Sequence, residues 1–235
     1  MSRSKEMEGN MKTTKRFKAF LLLILCVALV FPRMDSSAAR SAQYYQAMKA
    51  YKTWLGRKTV CVIQRGQQYY DDEIKRTYST SNASDVKFAL AYLDNDGIPE
   101  LIISTKQGSS VIYGILTFKN GKLYRAYNSR GNGYFGGYYY KTGYFLENIY
   151  GGSTEMYRHY NRLSKTEVQR MVFCKYDANA RGQSATGKQD RYYVNRNKVS
   201  KSTFMSKLQS ATKGKTKSSI KLYQNTAANR DKILK

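Results

Sequence analysis

The stretch "FALAYLDNDGIPELIIS", Phe88 to Ser104, places two runs of strand-forming residues on either side of an acidic cluster. The cluster is Asp94-Asn95-Asp96-Gly97, and residues of these types favour tight turns because they tolerate positive φ. Two strands joined by so short a segment must pair antiparallel, since a parallel pair needs a crossover of a dozen or more residues. The stretch therefore predicts a β-hairpin within an antiparallel sheet.

Strand and turn signals continue to alternate after this hairpin. Residues 111–118 and 122–128 flank Asn120-Gly121, a dipeptide typical of two-residue hairpin turns. Further strands, most of them paired around short turns, are predicted at residues 58–63, 138–140, 144–148, 155–163, 168–176, 191–195 and 220–223. The pattern indicates a β-meander.

Helical signals occur before and after these strands. Between residues 42 and 55, apolar side chains recur at every third or fourth position. Near the other end, Ser200 or Ser202 can cap one helix and Asn225 or Thr226 can cap a last one. We therefore predict an α+β fold, a curved antiparallel β-meander sheet with an N-terminal helix and one or two C-terminal helices.

Residues 1–39 have the layout of a secretory signal peptide. A basic segment precedes the apolar run "AFLLLILCVALVF", residues 19–31, and small residues follow it. The run is about a dozen residues long, too short for a helix across a bilayer of roughly 30 Å. We expect cleavage near Ala38 or Ala39, a secreted or cell-surface protein with one domain over residues 40–235, and no transmembrane helix after processing.

The chain is strongly basic, and the excess is greatest in its C-terminal part. Residues 40–235 contain 34 basic and 13 acidic residues, a net charge of +21. Residues 156–235 contain nineteen basic and four acidic residues. This excess of positive charge either attracts polyanions or forms a solvated basic face that aids solubility. For an exported protein the polyanion is an anionic cell-wall polymer or a glycan rather than nucleic acid.

The acidic turn can be aligned with a calcium-binding loop. An EF-hand-like loop takes oxygen ligands at its first, third and fifth positions, has glycine at the sixth and a backbone carbonyl at the seventh, with further ligands at the ninth and twelfth. With Gly97 at the sixth position, Asp94 and Asp96 are third and fifth, Ile98 supplies the carbonyl and Glu100 is ninth. These four residues are the predicted Ca²⁺ ligands.

Two positions of that alignment lack a ligand. Tyr92 stands at the first position and Ile103 at the twelfth, and neither side chain can supply a carboxylate. A full EF-hand is therefore excluded. Two interpretations stay open: a weak Ca²⁺ site, or a turn in which Asp94 and Asn95 satisfy backbone amides and Pro99 begins an edge strand.

The same stretch resembles a known group of proteins. "LDNDGIPELII" is similar to the D-x-D-G-x-P-E-L segments of exported, lipoprotein-like proteins of Gram-positive gut bacteria, which resemble the calcium loops of FG-GAP and dockerin-type repeats. "YYVNRNKVSKSTFMSKL" and "LYQNTAANRDKIL" look like the C-terminal part of such proteins. The fuller repeats begin with an additional aspartate where this chain has Tyr92. The resemblance implies export and fold, since the group has no assigned activity.

Two cysteines lie outside the predicted signal peptide, Cys61 and Cys174. In an oxidising compartment they can form a disulfide. Closing a loop of about 110 residues would stabilise the fold by up to about 5 kcal/mol in the chain-entropy model. The alternative is two separate buried thiols.

Residues 131–152 are rich in tyrosine and glycine. Tyr134, Tyr138 and Tyr140 can form an exposed aromatic face that stacks on sugar rings. Alternation along a strand would instead bury half of the aromatic residues, and Tyr139 and Phe145 are the ones we expect in the core.

The sequence contains few candidate catalytic residues. His159 is the only histidine and lies on a predicted strand, and a pairing with Cys174 has no helix N-terminus to activate the thiol. Asp94 with Glu100 is a carboxylate pair of the kind that glycosidases use. The leading hypothesis is a non-enzymatic, exported, envelope-associated binding protein. The alternatives are a calcium-dependent structural module and a glycan-active enzyme.

Overall fold

The computed structural model describes residues 41–64, 78–107, 110–129, 133–150, 155–178 and 189–235. The predicted signal peptide lies outside these residues and stays a prediction. Residues Ala42–Lys235 form one unit. Within the described part of the chain, no helix is both long and apolar enough to cross a membrane.

The predicted α+β class is confirmed. Helix α1 spans Ala42–Leu55, α2 spans Lys201–Ala211 and α3 spans Ala227–Ile233, with a 3-10 turn at Ala83–Asp85. Of the predicted caps, Ser200 accepts a hydrogen bond from the Thr203 amide and Thr226 accepts one from the Asn229 amide. Each of these caps satisfies a backbone donor of the first helical turn.

Most of the chain between α1 and α3 is strand. The strands are β1 (Thr59–Gln64), β2 (Tyr78–Asn82), β3 (Lys87–Ala91), β4 (Glu100–Gln107), β5 (Ser110–Lys119), β6 (Lys122–Asn128), β7 (Gly133–Tyr139), β8 (Tyr144–Tyr150), β9 (Met156–Ser164), β10 (Glu167–Asp177), β11 (Arg191–Val194), β12 (Asn197–Val199), β13 (Lys217–Ser218) and β14 (Tyr223–Gln224). All of their pairings are antiparallel.

The strands divide into separate sheets where we predicted one curved meander. The larger sheets have the orders β14-β3-β4-β5-β6 and β12-β11-β10-β9-β8-β7-β13, and among the described strands β1 pairs only with β2. The chain changes sheet between β6 and β7. The physical reason is burial, because an antiparallel sheet needs one face packed, and two sheets face to face bury more apolar surface than one long sheet.

The unit formed by residues 42–235 has four layers, helix, sheet, sheet and helix. Alternate residues of the five-stranded sheet face opposite sides, so Leu101 and Ile103 pack under α1 whereas Ile102 faces the seven-stranded sheet. The cluster between the sheets also contains Tyr113, Ile115, Tyr127, Phe145 and Leu163. On the far face of the seven-stranded sheet, Phe173 and Val194 pack against Phe204 and Leu208 of α2.

Candidate functional site

The acidic turn joins β3 to β4 and is organised by its own side chains. Asp94 Oδ1 accepts a hydrogen bond from the Asp96 amide at 3.1 Å, and Asp96 Oδ1 accepts one from the Ile98 amide at 2.8 Å. Gly97 has φ +84°, the left-handed conformation that favours glycine. Pro99 lies directly before β4, which is an interior strand of its sheet and not the edge strand that we expected.

The structure brings the three predicted carboxylate ligands together. One oxygen from each of Asp94, Asp96 and Glu100 lies within 4.8 Å of the others. Glu100 is 1% exposed, and its oxygens accept hydrogen bonds from the Leu93 amide at 2.9 Å and from the Thr117 hydroxyl at 3.3 Å. The cluster therefore combines one buried carboxylate with two that lie nearer the surface.

Lys119, at the end of β5, supplies a positive charge to this cluster. Its ammonium group hydrogen bonds to Asp96 and lies 3.8 Å from Asp94 Oδ2. Burial and the charge of Asp96 raise the pKa of Asp94, while burial and the charge of Asp94 raise the pKa of Glu100 well above its ordinary value. Burial acts to lower the pKa of Lys119, but the hydrogen bond to Asp96 and the Asp94 charge outweigh it. A metal ion would therefore compete with an ammonium group for two of its ligands.

The three tyrosines of the predicted aromatic face do not share a face. Register pairs Tyr134 with Asn148 and Tyr138 with Phe145, and a bulge between Phe135 and Gly137 turns these two tyrosines to opposite sides of the sheet. Tyr138 packs against the cluster between the sheets. Tyr134 contacts Tyr150, and Tyr140, which is exposed, contacts Tyr92. This bulge is the physical reason that Tyr134 and Tyr138 do not share a face, whereas Tyr139 and Phe145 are buried as alternation predicts.

Cys174 carries a free, buried thiol in the structure. Cys61 lies on β1, and its side chain is outside the described residues, so the disulfide stays a prediction. His159 is the cross-strand neighbour of Cys174. Burial raises the pKa of the Cys174 thiol to about 11, which is the opposite of what a cysteine nucleophile needs.

A polar network surrounds Glu147 between the two larger sheets. Glu147 is 1% exposed, accepts a hydrogen bond from the Tyr127 hydroxyl and lies 3.9 Å from His159 Nδ1. Arg170 donates to the same hydroxyl at 3.1 Å, and its guanidinium carbon lies 4.2 Å from the Tyr127 ring centre. Burial raises the pKa of Glu147 and, together with the charge of Arg170, lowers that of His159. This network unites residues from four strands, so no local sequence pattern predicted it.

A polar groove of about 600 Å³ lies beside the acidic turn. One wall contains Asp94 and Asp96, and the rest of the lining includes four basic side chains, Lys141, Arg162, Lys165 and Lys213. These four come from the β7–β8 and β9–β10 hairpins and from the residues after α2. Sequence reasoning recognised the basic C-terminal part but not this convergence.

Neither a scan of protein-family models nor searches of curated proteins and of solved structures found a match to this chain. The resemblance of its acidic turn to exported proteins therefore stays a prediction, and the proposals that follow rest on the geometry of its side chains.

Proposed function

We propose that the protein is an exported, non-enzymatic binding protein that associates with an anionic polymer or glycan of the cell envelope. The observation that carries the proposal is the convergence of Lys141, Arg162, Lys165 and Lys213 on one open groove. Phosphate or carboxylate groups repeated along a polymer are the chemistry that a row of cations attracts.

The charges of this groove are available to a ligand. Among the described residues, none of the four cations forms an ion pair with a carboxylate. Arg162, Lys165 and Lys213 are exposed. Lys141 lies 5.4 Å from the ring centre of Tyr140 and Arg162 lies 5.8 Å from that of Tyr144, so aromatic rings stand beside two of the cations.

Three of these cations occupy backbone positions where lysine is costly. Lys141, Lys165 and Lys213 have φ values of +57°, +58° and +53°. A non-glycine residue in this region costs on the order of 1 kcal/mol, and glycine or asparagine would cost less. Strain of this kind at three turns that border one groove supports a role for their charged side chains in binding.

The direct test is sedimentation of residues 40–235 with purified cell walls, compared with walls stripped of their anionic polymers, across a salt series. We expect binding that weakens as salt rises and that is lost on stripped walls. The variant Lys165→Gln/Lys213→Gln should bind more weakly than the matched control Lys198→Gln/Lys207→Gln, which removes two exposed charges outside the groove. Equal losses in the two variants, or no binding at low salt, would overturn the proposal.

A calcium-dependent structural module is a second candidate, favoured by the convergence of Asp94, Asp96 and Glu100. A ligand that binds only the folded state raises the unfolding midpoint. Thermal unfolding in millimolar Ca²⁺ and in chelator distinguishes this candidate, because an unchanged midpoint leaves only a turn. The glycan-active alternative is not supported by the Asp94–Glu100 pair, since a carboxylate that is 1% exposed is out of reach of a sugar.

A further inference from the structure

A second cavity, of about 510 Å³, lies on the seven-stranded sheet, outside the groove just described. Its lining comes from β9, β10, β11 and the turn that follows β11. Phe145 and His159 belong to one face of this sheet; Phe145 lies in the cluster between the two larger sheets, whereas His159 lines the cavity. The cavity occupies the part of the same face around His159.

The register of three strands builds this cavity from two rows of side chains. Tyr157, Tyr176 and Arg191 are direct neighbours across β9, β10 and β11. In the next row His159 pairs with Cys174, which pairs with Tyr193. Directly paired residues point to the same face of a sheet, so all of these side chains enter one space.

Aromatic rings form the walls of the cavity. The ring centres of Tyr157 and Tyr176 lie 5.2 Å apart at an interplanar angle of 55°. The guanidinium carbon of Arg191 lies 4.2 Å from the Tyr176 ring centre, a distance at which the planar group covers the ring and its N–H edge stays free to donate. A flat or ring-shaped molecule matches walls of this kind.

The charges of the cavity have a single sign. Arg191 and Arg196 line it, and no carboxylate is among its lining residues in the described part of the chain. Neither arginine forms an ion pair with a described carboxylate. Glu147, whose carboxylate lies 3.9 Å from His159 Nδ1, is buried and accepts a hydrogen bond from Tyr127.

We propose that this cavity binds a small molecule that carries a carboxylate or phosphate group on a ring, with the ring beside Tyr157 and Tyr193 and the anionic group between Arg191 and Arg196. Guanidinium groups bind both anions through paired hydrogen bonds. The proposal is independent of the polymer-binding groove, because the two sites share no residue.

Binding is tested by NMR titration of residues 40–235 with benzoate, phenyl phosphate and glucose 6-phosphate, and with inorganic phosphate and benzyl alcohol as comparisons. We expect at least one ring-bearing anion to bind and to shift the signals of Tyr157, Tyr176 and Tyr193. The cavity should bind this anion about tenfold more tightly than inorganic phosphate or benzyl alcohol. Inorganic phosphate lacks the ring, and benzyl alcohol lacks the anionic group. Comparing benzoate with phenyl phosphate shows whether the cavity prefers a carboxylate or a phosphate. Comparing phenyl phosphate with glucose 6-phosphate shows whether it prefers an aromatic ring or a sugar.

Arg191→Gln and Arg196→Gln should each weaken this binding by about tenfold, as the loss of a charge-assisted hydrogen bond requires. Arg162→Gln is the matched control, because it removes the same charge from the groove and should leave the cavity unchanged. Unchanged unfolding midpoints show that each variant is folded. Equal effects of Arg162→Gln and Arg191→Gln, or inorganic phosphate binding as tightly as the ring-bearing anions, would overturn the proposal.

Cell-wall sedimentation of Arg191→Gln should match that of the unmodified protein. This measurement separates failure of the cavity proposal from failure of the groove proposal.

Discussion

The ammonium group of Lys119 lies 3.8 Å from Asp94 and hydrogen bonds to Asp96, in the position where the sequence predicts a calcium ion. The carboxylates of the acidic turn thus have a cation supplied by the chain itself. This arrangement stabilises the turn. A metal ion would have to displace the ammonium group in order to bind Asp94 and Asp96.

Replacing Lys119 with methionine should reveal any affinity of the turn for calcium. In chelator the Lys119→Met variant should lose about 1 kcal/mol of stability, or about 3 °C in midpoint, because its carboxylates repel one another without a partner. In millimolar Ca²⁺ the variant should recover more stability than the unmodified protein gains. Thermal unfolding measures both effects, and Lys122→Met, one hairpin turn away and exposed, is the control. Equal responses of the two variants to Ca²⁺ would contradict the prediction.

Glu100→Gln should flatten the pH dependence of stability. The pKa of Glu100 is raised in the folded protein above the value of 4.5 expected for the unfolded chain. Its contribution to stability is therefore fully present below pH 4.5 and is lost as pH rises toward the folded pKa. The glutamine oxygen can accept from the Leu93 amide and its NH2 group can donate to the Thr117 hydroxyl. The free energy of unfolding should therefore fall less with rising pH than it does in the unmodified protein. Urea unfolding at several pH values checks this, with the exposed Glu167→Gln as control.

Asn225→Ala should be among the most destabilising single substitutions near the C-terminus. The buried Asn225 amide donates to the carbonyls of Leu55 at 2.8 Å and Ala83 at 2.9 Å, and its oxygen accepts from Arg230 at 2.9 Å. Alanine would leave buried carbonyls without donors, at a cost of about 2 to 4 kcal/mol. Urea denaturation measures the loss. The exposed Asn197→Ala should lose less than about 0.5 kcal/mol, and similar losses in both would contradict the assigned role.

Benzoate should bind the cavity more tightly as pH falls. The pKa of His159 is lowered by burial and by Arg170, which favours the neutral imidazole, and an anionic ligand beside it would raise that pKa. The titratable or charged groups around it, in the described part of the chain, include Glu147 from β8, Arg170 and Cys174 from β10, and the other lining residues Tyr157, Tyr176, Arg191, Tyr193 and Arg196. Affinity at about pH 5.5 should exceed that at pH 7.5 by roughly threefold to tenfold. NMR titration checks this, and a pH dependence that persists in His159→Gln would contradict the role of His159.

The sequence predicted the features that are encoded locally. Helix α1, the caps at Ser200 and Thr226 and strand β6 have the predicted positions, because periodicity and capping depend on residues close in the chain. Asp94, Asp96 and Glu100 converge for the same reason, since they lie within one turn.

Features that depend on distant contacts were missed. No pattern in the chain marks the change of sheet after Asn128, and the bulge at Phe135 and Gly137 reverses the faces that alternation assigns. The groove joins residues between Asp94 and Lys213, which only the tertiary fold brings together. Lys119 could have been found, because the Asn120-Gly121 turn places it at the end of the strand that pairs with β4.

Two short strands after α2, β13 and β14, complete the two larger sheets. β13 pairs with β7 at one edge of the seven-stranded sheet, and β14 pairs with β3 at one edge of the five-stranded sheet. Neither larger sheet therefore has its full set of strands until residues 217–224 have been synthesised and have left the ribosome. A prematurely terminated product would display two open strand edges, which recruit other chains and aggregate. Nascent chains of this protein should therefore remain incompletely folded until residues 217–224 are free to pair with β7 and β3.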